Sequence, residues 1–305
     1  MKPKGRTNRA ASVQQRLLNL SKERGEDPNL VFIRYTVERL LYRISCSKHS
    51  AQFILKGAML LATWMGRPHR PTKDLDLLGF GDASAEGLRN IFRDICHTEV
   101  EPDGMEFKAD SIRITEIRED LEYPGQRIKL ESRLGNARIN IQIDIGFGDS
   151  VVPKPTLIEY RTLLNMPAPL IRAYPPETVV AEKFESMISR GMLNSRMKDY
   201  YDLRLMAKEF RFDGNTLAEA IKSTFARRGT AIPKDTPIAL TAEFSSSPDK
   251  NTQWKAFLKT SRLDDTDLKL SQVIDDIYKF LMPPAVATAN DKPFAKNWPA
   301  GGHWK

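Results

Sequence analysis

The apolar positions of this chain change period twice, and each change marks a different kind of structure. From Ser12 to Arg24 and from Pro28 to Ser45 they recur at helical spacing. In the second stretch Val31, Ile33, Tyr35, Val37, Leu40, Leu41 and Ile44 make a broad stripe. The segment FILKGAMLLATWMG follows: Phe53 to Leu55 predicts a short buried strand, Lys56-Gly57 a turn, and Ala58 to Met65 a short helix. After a Pro/Arg-rich loop from Arg67 to Pro71, DLDLLGF from Asp74 predicts a second strand, and Ser84 to His97 an amphipathic helix. The period then drops to two. Ile112 and Ile114, then Ile128, Leu130 and Leu134, then Ile139, Ile141, Ile143 and Ile145 alternate with polar residues. Turn signals at Pro124-Gly125 and Gly135-Asn136 separate these runs, which predicts an antiparallel meander with one buried face. Beyond Pro175-Pro176 the helical period returns, over roughly Glu177 to Met192, Met197 to Phe210 and Thr216 to Arg227. Proline and serine punctuate Pro233 to Asp249, and two further short helices are expected near Trp254 and Val273. From Pro283 the composition reads as a loosely ordered tail.

This order of elements predicts an α+β fold: a small mixed or antiparallel sheet flanked by helices, then a C-terminal helical region. The expected division is a catalytic domain over 1–170, a helical domain over 171–282 that completes the site, and a tail over 283–305. A length of 305 residues suffices for this. At 41% hydrophobic and 28% charged the composition is that of a soluble globular protein. The longest apolar run, Met59 to Met65, is too short for a membrane span and is broken by Gly66. The N-terminus is basic but no signal-peptide core follows it. Cys46 and Cys96 show no ligand spacing, and the four histidines are scattered, which argues against a disulfide framework or a zinc site. A cytoplasmic location, with no membrane partner, fits these features. Of the net charge of +8, residues 1–50 carry a surplus of +7, from 11 Lys/Arg against 4 Asp/Glu. Such a region suits a polyanionic partner such as RNA; a solvated helical face accounts for it as well.

The candidate chemistry lies in the strands. Residues two apart in a strand share a face, so Asp74 and Asp76 project together while Leu75 and Leu77 enter the core. In INIQIDIGFG the isoleucines point one way, and Asn140, Gln142 and Asp144 the other. If the two strands are neighbours, Asp74, Asp76 and Asp144 converge, and clustered carboxylates call for a cation. Oxygen-only ligation suits Mg²⁺, and two such ions can activate an attacking oxygen and stabilise a leaving pyrophosphate. Just upstream, Gly57 and Ala58 open a helix whose N-terminal N–H groups can face the phosphates of an NTP, with Lys56 beside them.

With these residues in view, LKGAMLL…RPTKDLDLLGFG resembles the first motif of the AbiEii/AbiGii-type toxin nucleotidyltransferases of the polymerase-beta-like superfamily. PPETVVAEKFESMISRGMLNSRMKDYYDL resembles the later motifs of the same family, and the likeness spans about residues 25 to 210. The resemblance implies a nucleotidyltransferase fold, metal binding by Asp74 and Asp76, contact of Lys183 with the nucleotide or its phosphates, and completion of the site by Asp199. It also implies a toxin role, a tRNA acceptor and a cognate antitoxin protein. One residue departs from the superfamily pattern: Ala58 stands where a serine often follows the glycine, which leaves phosphate contacts at the turn to backbone N–H groups. Arg190 could extend a basic strip from Lys183, although a solvated face explains both residues equally well. For Asp199 and Asp202, a charge favoured by the helix dipole is the plainer reading. Arg70 and Thr72 stand close enough to Asp74 in sequence to steady the loop or touch the nucleotide. Trp298 and Trp304 could stack on bases, whereas Trp64 suits a core.

The expected activity is therefore Mg²⁺-dependent transfer of a nucleoside monophosphate from an NTP to RNA. Two alternatives stay open: an acceptor that is a small molecule or a protein, and a non-catalytic binding module of the same fold.

Overall fold

The computed structural model describes residues 4–66, 70–117, 125–261, 263 and 267–305. Residues 67–69 of the Pro/Arg-rich loop, and Pro124 of the expected turn, lie outside the described residues. The chain divides into two compact units, Met1–Gly148 with Thr156–Ala173, and Asp149–Pro155 with Tyr174–Lys305.

The first unit opens with helices α1 (Lys4–Arg24) and α2 (Pro28–Cys46). Asp27 caps α2 by accepting the Asn29 N–H, and Pro28 starts it where a missing N–H costs nothing. Strand β1 (Phe53–Lys56), helix α3 (Ala58–Met65), strand β2 (Asp74–Gly79) and helix α4 (Ala85–His97) follow. Then come β3 (Met105–Phe107), β4 (Arg113–Ile117), β5 (Gly125–Leu134), β6 (Ala137–Phe147), β7 (Thr156–Glu159) and β8 (Leu170–Ala173). They form one mixed sheet in the order β3-β5-β6-β2-β1-β8-β7, with β4 paired to the other half of β5's outer edge. The pairs β2/β6 and β1/β8 are parallel and the rest are antiparallel. The meander expected from the period-two runs is β4-β5-β6. The sheet is larger than expected, because β3, β7 and β8 are strands of three or four residues that carry no usable alternation.

Alternation explains which face is buried. Leu75, Leu77, Ile128, Leu130, Ile141, Ile143 and Ile145 are all 2% exposed or less. Helices α2 and α4 cover this side, with Phe92 of α4 edge-on to Phe53 of β1 at 5.7 Å. Helix α2 also buries polar groups that anchor loops. Arg43 forks onto Asp103 at 2.6 and 3.1 Å, the Tyr35 hydroxyl donates to the Asp103 carbonyl at 2.7 Å, and the Leu163 N–H donates to Glu38 at 2.6 Å. Burial pushes the Glu38 carboxyl up to about 7, against the pull of Arg39 beside it.

The second unit is helical: α5 (Pro176–Arg190), α6 (Met197–Glu209), α7 (Gly214–Arg227), α8 (Ala242–Ser246), α9 (Pro248–Ser261) and α10 (Leu270–Ala289). A two-residue strand β9 (Phe212–Asp213) pairs antiparallel with β10 (Asn297–Trp298). Two expectations fail here. The helix near Val273 is long, not short, and continues through Pro283 and Pro284. The segment from Pro283 is not loose: Phe280 sits 4.9 Å from the Trp298 ring and 6.1 Å from that of Trp304. A hydrogen bond accounts for both corrections. Proline at position 284 lacks the N–H that the Phe280 carbonyl would accept in a regular helix. The Trp304 indole N–H donates to that carbonyl instead, at 2.9 Å. Likewise the Trp298 indole donates to the Ala207 carbonyl near the end of α6 at 2.7 Å. These two tryptophans are thus engaged in packing rather than presented to bases, whereas Trp64 is half-buried. Because Trp298 joins an aromatic cluster and satisfies a helix end, Trp298→Ala should cost about 3–5 kcal/mol. Chemical denaturation checks this, and unchanged stability would contradict the packed tail.

Candidate active site

The strand registers assemble the candidate residues of the first unit in a row. Parallel pairing of β2 with β6 sets Asp76 opposite Asp144 and Asp74 opposite Gln142. Antiparallel pairing of β1 with β2 sets Lys56 opposite Asp76, and that of β5 with β6 sets Arg127 opposite Asp144. Lys56, Asp76, Asp144 and Arg127 therefore succeed one another across neighbouring strands, two carboxylates flanked by two cations, on the face away from α2 and α4.

Asp144 is held firmly. Arg127 Nε donates to its Oδ1 at 2.9 Å and Nη2 to its Oδ2 at 2.7 Å, while Gln142 Nε2 donates to Oδ2 at 3.3 Å. A fork of this kind is among the stronger polar contacts. Sequence reading missed Arg127, because its partner lies on the next strand, 17 residues away. Among the described residues no group of three or more His, Cys, Asp or Glu side chains is arranged to hold a metal ion. Asp144 already shares both carboxylate oxygens with Arg127, so a cation there would have to use their remaining lone pairs. Asp74 and Asp76 remain a fitting pair for a hard divalent cation, since both offer carboxylate oxygens from one strand face.

The turn before α3 is shaped by the same carboxylates. Gly57 has φ +77°, and a Cβ built on it would fall 2.1 Å from Asp76 Oδ2. Only glycine permits both the backbone conformation and the close approach. Helix α3 starts at once, with no side chain capping its first-turn N–H groups. Ala58 is buried and has no polar side-chain group, so the backbone N–H groups are what the turn offers an anion. Thr72 lies half-buried just ahead of β2.

The other expected residues belong to the second unit. Lys183 on α5 has Nζ 2.5 Å from Asp199 Oδ1 and 2.8 Å from Asp202 Oδ2, and Asp202 is fully buried. The aspartates are in the first turns of α6, where the dipole favours negative charge. Asp202, read from the sequence only as a helix charge, is thus the second partner of Lys183. Arg190 ends α5 and donates from Nε to the Ser186 hydroxyl at 3.3 Å. A neighbouring network was not foreseen at all. Arg228 pairs with Glu185 at 2.8 Å, Asp149 at 3.2 Å and Glu182 at 3.5 Å. Burial opposes its charge, and the carboxylates of Glu182, Asp149 and Glu185 outweigh that and keep it protonated.

A family model described as "Nucleotidyl transferase AbiEii toxin, Type IV TA system" matches residues 39–287. The chain belongs to the AbiEii toxin nucleotidyltransferase family. The matched range includes Asp74, Asp76, Asp144, Lys183 and Asp199 and runs through both units. Membership makes this protein a nucleotidyltransferase, and the type IV toxin–antitoxin assignment implies a cognate antitoxin. Two solved structures are similar: a candidate nucleotidyltransferase from H. pylori (16% identity, 83% of this chain and 92% of that one, TM-score 0.45) and JHP933 from Helicobacter pylori (16% identity, 83% and 89%, TM-score 0.46). No curated protein matches the chain significantly. Among the described residues no helix is long and apolar enough to cross a membrane.

The Gly57 turn yields a direct test. Gly57→Ala must relieve both the positive φ and the collision with Asp76, at a cost of about 1–3 kcal/mol. Thermal unfolding with and without NTP should show a lowered Tm and a lost NTP-induced rise. A variant stabilised by NTP as the wild type is would contradict the role given to the turn.

Proposed function

We propose that this protein transfers a nucleoside monophosphate from an NTP to an RNA acceptor, with tRNA the favoured class, as the toxin of a toxin–antitoxin pair. The observation that carries the reading is the closure of the Gly57 turn on Asp76, with Asp74 on the same face and Lys56 in register beside it. In such a transfer the acceptor oxygen bonds to the α-phosphorus as the bond to pyrophosphate breaks. Mg²⁺, when bound by Asp74 and Asp76, would neutralise charge on the triphosphate and the departing pyrophosphate. The backbone N–H groups opening α3 would hold phosphate oxygens, and Lys56 would add a positive charge along the same row. The Lys183 ammonium, held by Asp199 and Asp202, suits a positioning role for α5 and α6, because two carboxylates already hold it in place. The tRNA acceptor and the toxin role rest on family kinship and on the basic N-terminal region.

The pairing of Asp144 with Arg127 favours one second reading, a module that binds nucleotide or RNA without turning over. Incubation with each labelled NTP, Mg²⁺ and total tRNA separates the two. The transferase reading expects label in tRNA, reduced at least about 100-fold by Asp74→Ala or by Asp76→Ala. Undiminished label in both variants would sink it. Label that persists on protein or on a small molecule after RNA is removed would reassign the acceptor.

A further inference from the structure

We infer that the open face of the sheet beside the Asp pair carries a contact for the acceptor's RNA backbone, centred on Arg113 and Lys129; this rests on the transferase reading above. The residues are in the same unit as Asp74 and in the same cross-strand row. From β4 to β2 the registers place Arg113 opposite Lys129, Lys129 opposite Gln142, and Gln142 opposite Asp74. At about 4.8 Å per strand, Lys129 lies about 10 Å and Arg113 about 14 Å from the strand of Asp74. Both are exposed.

Their pairing calls for an explanation. Like charges directly opposite each other on neighbouring strands are destabilising. A sheet normally relieves this with a carboxylate in the same row or in the adjacent ones. The row here holds only neutral Gln142 before Asp74, and in the next row Asp144 is already committed to Arg127. On the other side Glu131 is committed to Arg138 at 2.7 Å and lies 3.5 Å from Arg133. Neither Arg113 nor Lys129 makes an ion pair with a described residue. Two cations without an ion-pair partner among the described residues, kept on an exposed face in line with the reacting carboxylates, suit a partner that brings its own negative charges at intervals. A nucleic-acid backbone does so, and it must in any case deliver an acceptor oxygen to the Asp pair. An acidic peptide could match the charge, but nothing requires it to extend from these residues toward Asp74.

The test uses the full chain carrying Arg113→Gln with Lys129→Gln, or Arg113→Glu with Lys129→Glu. A charge-matched control carries Lys255→Glu with Lys259→Glu on exposed positions of the second unit. Fluorescently labelled unfractionated tRNA is titrated by anisotropy at several salt concentrations. The Gln variant should bind at least about 5-fold more weakly at low salt, with a shallower salt slope by roughly one to two units. The Glu variant should bind more weakly still, the control should match the wild type, and NTP-induced thermal stabilisation should be unchanged in all three. Wild-type affinity in the Gln and Glu variants, equal weakening in the control, or wild-type protein with no affinity for tRNA would overturn the inference. So would loss of polyglutamate binding with tRNA binding intact, which would assign the face to an acidic protein partner. Failure of the transferase reading appears differently: wild-type protein that binds tRNA through these residues yet transfers no label.

Discussion

The parallel pairing of β2 with β6 is the constraint on which the rest of the first unit depends. It puts the Asp-x-Asp strand at the middle of the sheet, with the Leu75/Leu77 side locked against the isoleucines of β6. A shift of one residue would turn both aspartates into the core and both leucines out of it, so the hydrophobic side fixes the chemical side. Once β2 is held, β1 can bring Gly57 against Asp76, and β5 can bring Arg127 against Asp144. The two aspartates facing each other across β2 and β6 are thereby treated differently: one meets a backbone turn, the other a guanidinium fork.

The second unit applies a related principle with buried charge. Lys183 is neutralised by Asp199 and Asp202, and Arg228 by Asp149, Glu182 and Glu185, with Lys183, Glu182 and Glu185 all on α5. Removing the cation from such a network leaves buried carboxylates uncompensated, which is costlier than the net worth of the intact pairs. These networks tie α5 to α6 and to the segments around Asp149 and Arg228. Lys183 and Asp199 therefore have a structural duty that does not depend on substrate.

What was legible in the sequence follows from which signals are local. The alternation of Ile139 to Ile145 and the helical stripe from Val31 to Ile44 identify buried faces within one element, and both stand in the structure. Gly57 was legible as a turn, but its contact with Asp76 depends on a partner strand. Arg127 and Arg228 act on groups distant in sequence, so no spacing rule reveals them. Strands β7 and β8 were missed because TLIE and LIRA are four residues long and leave Leu157 and Leu170 exposed. The tail misled by composition: its prolines, alanines and glycines resemble a disordered segment, while the decisive contacts are two indole N–H groups reaching carbonyls of α10 and α6.

In the proposed function the β2 carboxylates, together with the turn they pack against, form a metal-dependent triphosphate site. Isothermal titration of NTP into the wild type and into Asp76→Asn, each with and without Mg²⁺, tests it most directly. The account predicts saturable NTP binding that requires Mg²⁺ and is lost, or weakened at least about 10-fold, in Asp76→Asn. NTP binding of equal strength in Asp76→Asn, or binding indifferent to Mg²⁺, would contradict it.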